Sequence, residues 1–143
     1  MGQEFARRID GYNRAFAINT IANIANPTWV TSAAPAGPGR IERFDIKDEN
    51  ATAPVFNVGV INVTVDGVAI WANPPWMIWD GYAAGAHVVN GPNFSYNQDA
   101  GATRNLLQVI INLDYESSAS IAYQPNGATV RICGVTIIGR MGR

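Results

Sequence analysis

Hydrophobic positions along this chain recur mostly at a spacing of two, and the runs they form are short. Leu106–Leu113 is aliphatic and β-branched and is bounded by polar residues. Ser118–Tyr123 alternates, and Thr129–Ile138 is again rich in Val and Ile. Short alternating or apolar runs between turn signals read as strands. Between the last two lies Gln124-Pro-Asn-Gly127, in which Pro presets φ and Asn-Gly tolerates positive φ; the pattern predicts that Tyr123 and Thr129 run back antiparallel. Upstream, Val55–Val65 reads as a long strand, with Ile61, Val63 and Val65 on one face and Asn62 and Thr64 on the other. Asp66-Gly67 is a two-residue hairpin turn, and Val68–Trp71 is the return strand. Further short strands are predicted at Arg40–Lys47, Trp76–Trp79 and His87–Val89. Residues 92–105, with Phe94 and Tyr96, read as a long polar loop, and Asp48–Pro54 as another loop. Eight or nine short strands with a turn signal every ten or so residues predict an all-β sandwich or barrel. A jelly roll of two antiparallel sheets fits that count best.

The first 38 residues have a different pattern. Phe5, Ile9, Tyr12 and Phe16 are spaced by four, three and four, which predicts one face of a short helix interrupted at Gly11. Arg7, Arg8 and Arg14 lie beside that stripe. Trp29–Ser32 could form a short strand, and Ala33–Gly39 contains two Pro and two Gly, as an extended linker does. The expected organisation is an N-terminal arm and linker over 1–38, followed by a β domain over 39–143. On this reading Phe5, Ile9, Tyr12 and Phe16, with Arg7, Arg8 and Arg14, form an interface that clamps other molecules.

Composition sharpens the picture in one respect. Charged residues are only 15% of the chain, below the roughly 25% usual for a soluble domain. Nine of the ten basic residues are Arg, the cation enriched at interfaces. Both features suit a surface covered by partners. Leu106–Leu113 and Thr129–Ile138 carry apolar residues on both faces, and their second face is expected to meet another layer or a sister subunit, with a homotrimer as the expected assembly. A net charge of −1 without a basic cluster gives no nucleic-acid footprint. No run approaches a membrane span, and Asn19, Thr20 and Asn23 interrupt any secretory core.

Candidate chemistry is sparse. His87 is the one histidine, too few for a cupin-like metal site, and no Gly-x-Ser-x-Gly turn is present. Cys133 lies alone in an apolar strand and reads as a buried, inert thiol. Asp48-Glu49 and Asp114-Tyr-Glu116 read as solvated turn residues, and Ser117-Ser118 as hydroxyls bonded to their own backbone. No catalytic residue, metal or cofactor is assigned. Trp76, Trp79 and Tyr82 crowd around Pro74-Pro75 and form a possible exposed aromatic patch, which a glycan- or receptor-binding module would use.

The hairpin Asn62–Trp71, the stretch Leu113–Tyr123 and the Val/Ile-rich final strand resemble small virion proteins of tailed bacteriophages, in which a jelly-roll domain follows an amino-terminal arm. The resemblance is greatest to cement (decoration) proteins. It implies a structural role without an active site: a protein on the capsid exterior, commonly trimeric, that clamps neighbouring major capsid proteins. It also implies a protein made in the host cytoplasm and retained in the virion.

Overall fold

β-branched and aliphatic side chains at alternate positions cannot stay half-buried alone; they need a second layer to cover them. The computed structural model describes residues 14–49, 59–73, 87–90, 94–98, 104–125 and 127–142, and within them the chain is all-β. Its strands are β1 (Arg14–Ile24), β2 (Val30–Ala33), β3 (Gly39–Glu49), β4 (Val60–Val65), β5 (Val68–Asn73), β6 (His87–Asn90), β7 (Phe94–Gln98), β8 (Arg104–Tyr115), β9 (Ala119–Gln124) and β10 (Arg131–Met141). They form a six-stranded sheet in the order β1-β10-β3-β8-β7-β6 and a four-stranded sheet in the order β2-β9-β4-β5, antiparallel throughout.

The pairing is nested. β4 and β5 form the innermost hairpin at Asp66-Gly67, β3 pairs with β8, β2 with β9, and β1 with β10. The chain is thus folded back on itself at one turn and paired outward from it, with β6 and β7 inserted after β5 as an extension of the larger sheet. Asp66 (φ 48°) and Gly67 (φ 81°) both have the positive φ of a hairpin turn whose twist matches the strands. Between the sheets lie Ile41, Phe44, Ile46, Ile61, Val63, Leu107, Ile121, Val135 and Ile137, all fully buried.

Several expectations are corrected here. Residues 14–38 are not an arm outside the domain. β1 pairs with β10 along its whole length, β2 pairs with β9, and Ile24, Val30 and Ser32 are buried in the sandwich. The helical stripe fails at Phe16, which lies in β1 with Ile18, Ala22 and Ile24 on the core-facing side. Cross-strand pairing of eleven residues outweighs a local spacing that four residues share. Phe5, Arg7, Arg8, Ile9 and Tyr12 lie outside the described residues. The linker is held in place: Pro35 O accepts from the Tyr115 hydroxyl (2.9 Å), Gly37 N–H donates to Ser117 O (3.1 Å), and Pro38 O accepts from Gly142 N–H (2.7 Å).

β9 and β10 do not form a hairpin around Gln124–Gly127. They belong to opposite sheets, so that turn carries the chain across the sandwich, with Gly127 at φ 83°. The expected loop over 92–105 contains β7 and the start of β8, and Asp48-Glu49 ends a strand. The strand expected at Trp76–Trp79 lies outside the described residues.

Two neighbouring bulges interrupt the register of the larger sheet. β3 gains a residue relative to β10 at Glu42, and β8 gains one relative to β3 at Asn112, which takes φ 47°. Asn enters this left-handed region more readily than other non-glycine residues. The bulge presses Arg40 carbonyl against Gly139, where a Cβ would collide with that oxygen and lie 2.8 Å from the Phe16 ring. Gly139→Ala is therefore expected to destabilise the protein by about 1–3 kcal/mol, as overpacking does, with Asn112→Gly close to neutral. Urea unfolding of both variants checks this; a neutral Gly139→Ala contradicts the packing described.

Candidate functional site

One cluster of titratable groups stands out among the described residues, and it lies inside the sandwich. Asp48 near the end of β3 has Cys133 and Asn105 as its lateral register partners on β10 and β8. Arg131, the first residue of β10, faces the same interior. Arg131 Nε is 3.3 Å from Asp48 Oδ1, with both side chains removed from solvent. From the opposite sheet, the Tyr123 hydroxyl donates to Asp48 Oδ2 at 2.6 Å; within the same sheet, Asn105 Nδ2 donates to the Asp48 carbonyl at 3.2 Å. Gly59 makes room for Tyr123, since a Cβ there would lie 2.5 Å from its hydroxyl.

The electrostatics follow from burial. Desolvation pushes the Asp48 carboxyl above its usual range, opposed by the Tyr123 hydrogen bond and the Arg131 charge. Burial, with Asp48 beside it, pushes the Cys133 thiol up to about 12, so almost no thiolate forms near neutral pH. The Tyr123 phenol is likewise held protonated by burial and by the adjacent carboxylate. A buried acid, a buried cation and a cross-sheet hydroxyl form a strut here, since Asp48 and Tyr123 have no solvent exposure through which a substrate could reach them. Arg131 and Asp48 were not legible as a pair, because an Asp beside Glu and Asn reads as a turn until the register is known.

A second tie joins the sheets through Ser32, whose Oγ donates to Val135 O at 2.6 Å and lies 2.8 Å from Thr20 Oγ1. A third holds the hairpin tip. Asp66 accepts from the backbone N–H groups of Glu116, Ser117 and Ser118 at 3.0, 2.8 and 3.0 Å, and from Ser117 Oγ at 2.9 Å. The Ser117 hydroxyl, expected on its own backbone, is therefore bound to Asp66 instead. Glu116 presents its N–H to Asp66, and Asp114 pairs with Arg40.

The two outer faces differ in charge. On the six-stranded sheet, Arg40–Asp114, Arg43–Asp45, Lys47–Glu49 and Arg140–Glu42 form ion pairs at 2.6–3.2 Å. A polar row runs between them, with Thr136 Oγ1 donating to Asn19 Oδ1 at 3.0 Å and Gln108 Nε2 to Asp45 Oδ2 at 3.4 Å. Exposed pairs of this kind add little stability but keep a face solvated. The four-stranded sheet turns Thr31, Ala33, Ser120, Ala122, Asn62 and Thr64 outward, and none of its outward positions among the described residues carries a charge.

Of the residues assigned from sequence to an interface, Phe16 and Arg14 lie in β1, where Phe16 packs on the core and Arg14 Nη2 donates to Gly142 O at 3.1 Å. Trp76, Trp79 and Tyr82 lie outside the described residues. Among the described residues no three of His, Cys, Asp and Glu converge as metal ligands, and no helix is long and apolar enough to cross a membrane. Compared with known proteins, the chain matches no family, and no curated protein is significantly similar to it.

Two outcomes follow. Tyr123→Phe is expected to cost about 1.5–3 kcal/mol, the value of a hydrogen bond to a charged group, and Arg131→Met about 3–5 kcal/mol, since it strands a buried carboxylate. Chemical denaturation measures both, and a neutral Arg131→Met contradicts the strut. Two acids act on the pH dependence, and the first is Asp66, whose carboxyl is held well below the usual range by the Ser118, Glu116 and Ser117 N–H groups. A depressed acid stabilises the fold fully above its unfolded value near pH 4 and loses that effect as pH falls toward its folded value. Asp48 acts oppositely: its raised value makes stability fall as pH rises from about 4 through its folded value. The melting-temperature difference between wild type and Asp66→Asn is therefore largest above pH 5 and narrows steadily from pH 4 to pH 2. A constant difference across that range contradicts the assignment.

Proposed function

We propose that this chain is a structural virion protein, a jelly-roll cement (decoration) protein that attaches to the exterior of a bacteriophage capsid and clamps neighbouring major capsid proteins. The jelly-roll reading is supported by the nested pairing. Setting β6 and β7 aside, the eight remaining strands pair first with eighth, second with seventh, third with sixth and fourth with fifth. That is the pattern of a long hairpin rolled into two four-stranded sheets, β1-β10-β3-β8 and β2-β9-β4-β5.

The observation that carries attachment is the contrast between the two outer faces. One is studded with paired charges and suits water; the other, across β2, β9 and β4, carries no charge at its described outward positions, several of them small. Interface centres are depleted of charge, so the uncharged face is the one assigned to the shell. A charge-poor composition of 15% fits a chain that spends its life partly covered. Many equivalent copies would convert a modest contact into firm reinforcement of the shell.

Sedimentation with shells built of the major capsid protein alone, from the phage that carries this chain, tests the proposal. Wild type is expected to pellet with shells at saturable stoichiometry. Ala122→Lys with Thr64→Lys, placed on the uncharged face, is expected to weaken binding at least tenfold, and Thr136→Lys on the other face is expected to leave it unchanged. Failure of wild type to pellet overturns the function, and equal binding by all three overturns the assignment of the face.

A further inference from the structure

The sandwich has four sheet edges among its described residues, and three of them are blunted. β6 is four residues long, and β2 is four residues long between Pro27 and Pro35. β5 has a register shift against β4 and runs into Asn73-Pro74-Pro75. Short strands, proline and bulges are the devices by which edges avoid pairing with other chains. β1 has none of them. It is eleven residues long, keeps one register with β10 from Arg14 to Ile24, and contains no charge or proline after Arg14. Its outward row is Ala15, Ala17, Asn19, Ile21 and Asn23. Ile21 is 53% exposed, and on the neighbouring strand Ile132 is 41% exposed.

The sequence of β1 also suits a particular partner. In an antiparallel pair of identical strands, core-facing residues must oppose core-facing residues, so the two-fold axis passes through a residue rather than between two. Among the described residues of β1, only an axis at Asn19 overlaps all eleven positions. It sets Ala17 against Ile21, Ala15 against Asn23, Phe16 against Ala22 and Asn19 against itself, with no like charges opposed.

We propose that β1 pairs edge to edge with β1 of a second copy of this chain, antiparallel about a two-fold axis through Asn19, joining the two larger sheets into one continuous sheet. The association is a property of the free protein and does not depend on attachment to a shell. It gives a dimer rather than the homotrimer expected from the two-faced apolar strands Leu106–Leu113 and Thr129–Ile138.

Native mass measurement and sedimentation at tens of micromolar test the partner, and cross-linking tests the register. Wild type is expected at twice 15.4 kDa. Under mild oxidation Asn19→Cys is expected to form a covalent dimer, and Ala15→Cys is not, because its symmetry mate lies eight residues along the partner strand. Cys133 is buried and does not compete. Ala17→Lys with Ile21→Lys opposes like charges across the seam and is expected to give a monomer with an unchanged circular dichroism spectrum. If that variant fails to fold, the two cysteine variants decide. A monomeric or trimeric wild type, equal cross-linking at positions 15 and 19, or a dimer that survives both lysines overturns the proposal.

Discussion

The structure depends on one constraint: the chain turns back at Asp66-Gly67, and β3 with β8, β2 with β9 and β1 with β10 then pair outward from that hairpin at increasing separation in sequence. The outermost pair brings Arg14 against Met141, so almost the whole described chain lies inside the loop it closes. Loop closure costs grow only logarithmically with length, which makes so wide a pairing thermodynamically tolerable. Its cost falls on rate, because long-range strand pairing folds slowly. The positive φ at Asp66 and Gly67 shapes the turn, and the three N–H groups held by Asp66 tie its tip to the segment leading into β9.

Rolled this way, the two sheets must be held in register by something more specific than apolar contact. Three polar ties do that at separate points. Tyr123 reaches from β9 to Asp48 on β3, Ser32 from β2 to the Val135 carbonyl on β10, and Tyr115 from the end of β8 to the Pro35 carbonyl in the β2–β3 connection. Two of these tyrosines lie where glycine leaves space, Tyr115 over Gly39 and Tyr123 over Gly59. The same economy leaves the outer faces free to differ. The ion pairs lie on one, and the described outward positions of the other carry no charge.

Much of this was legible in the residues. Asp66-Gly67 with alternation on both sides named the central hairpin, the apolar run at Leu106 named β8, and the isolated thiol of Cys133 named a buried, unreactive group. What misled was local. In β1 the core-facing positions are Phe16, Ile18, Thr20, Ala22 and Ile24, and the small and polar members hide a period of two. Phe16 then completes a helical spacing with residues ahead of it. Asp48 and Arg131 were unreadable for the opposite reason, since a buried ion pair is defined by a partner more than eighty residues away. The bulge at Glu42 does leave a mark, the three-residue step from Ile41 to Phe44 in a pattern otherwise spaced by two, whereas the one at Asn112 leaves none.

The closure of both sheets and the placing of the two faces depend on residues 14–33 being part of the sandwich. The most direct measurement is a set of cross-strand nuclear Overhauser contacts in the isolated protein. Backbone contacts between Ala17 and Ile138, Thr31 and Ala122, Asp45 and Gln108, and Val65 and Val68 are expected together, one for each layer of the nested hairpin. Helical shifts across residues 14–24, or the inner two contacts without the outer two, would contradict it.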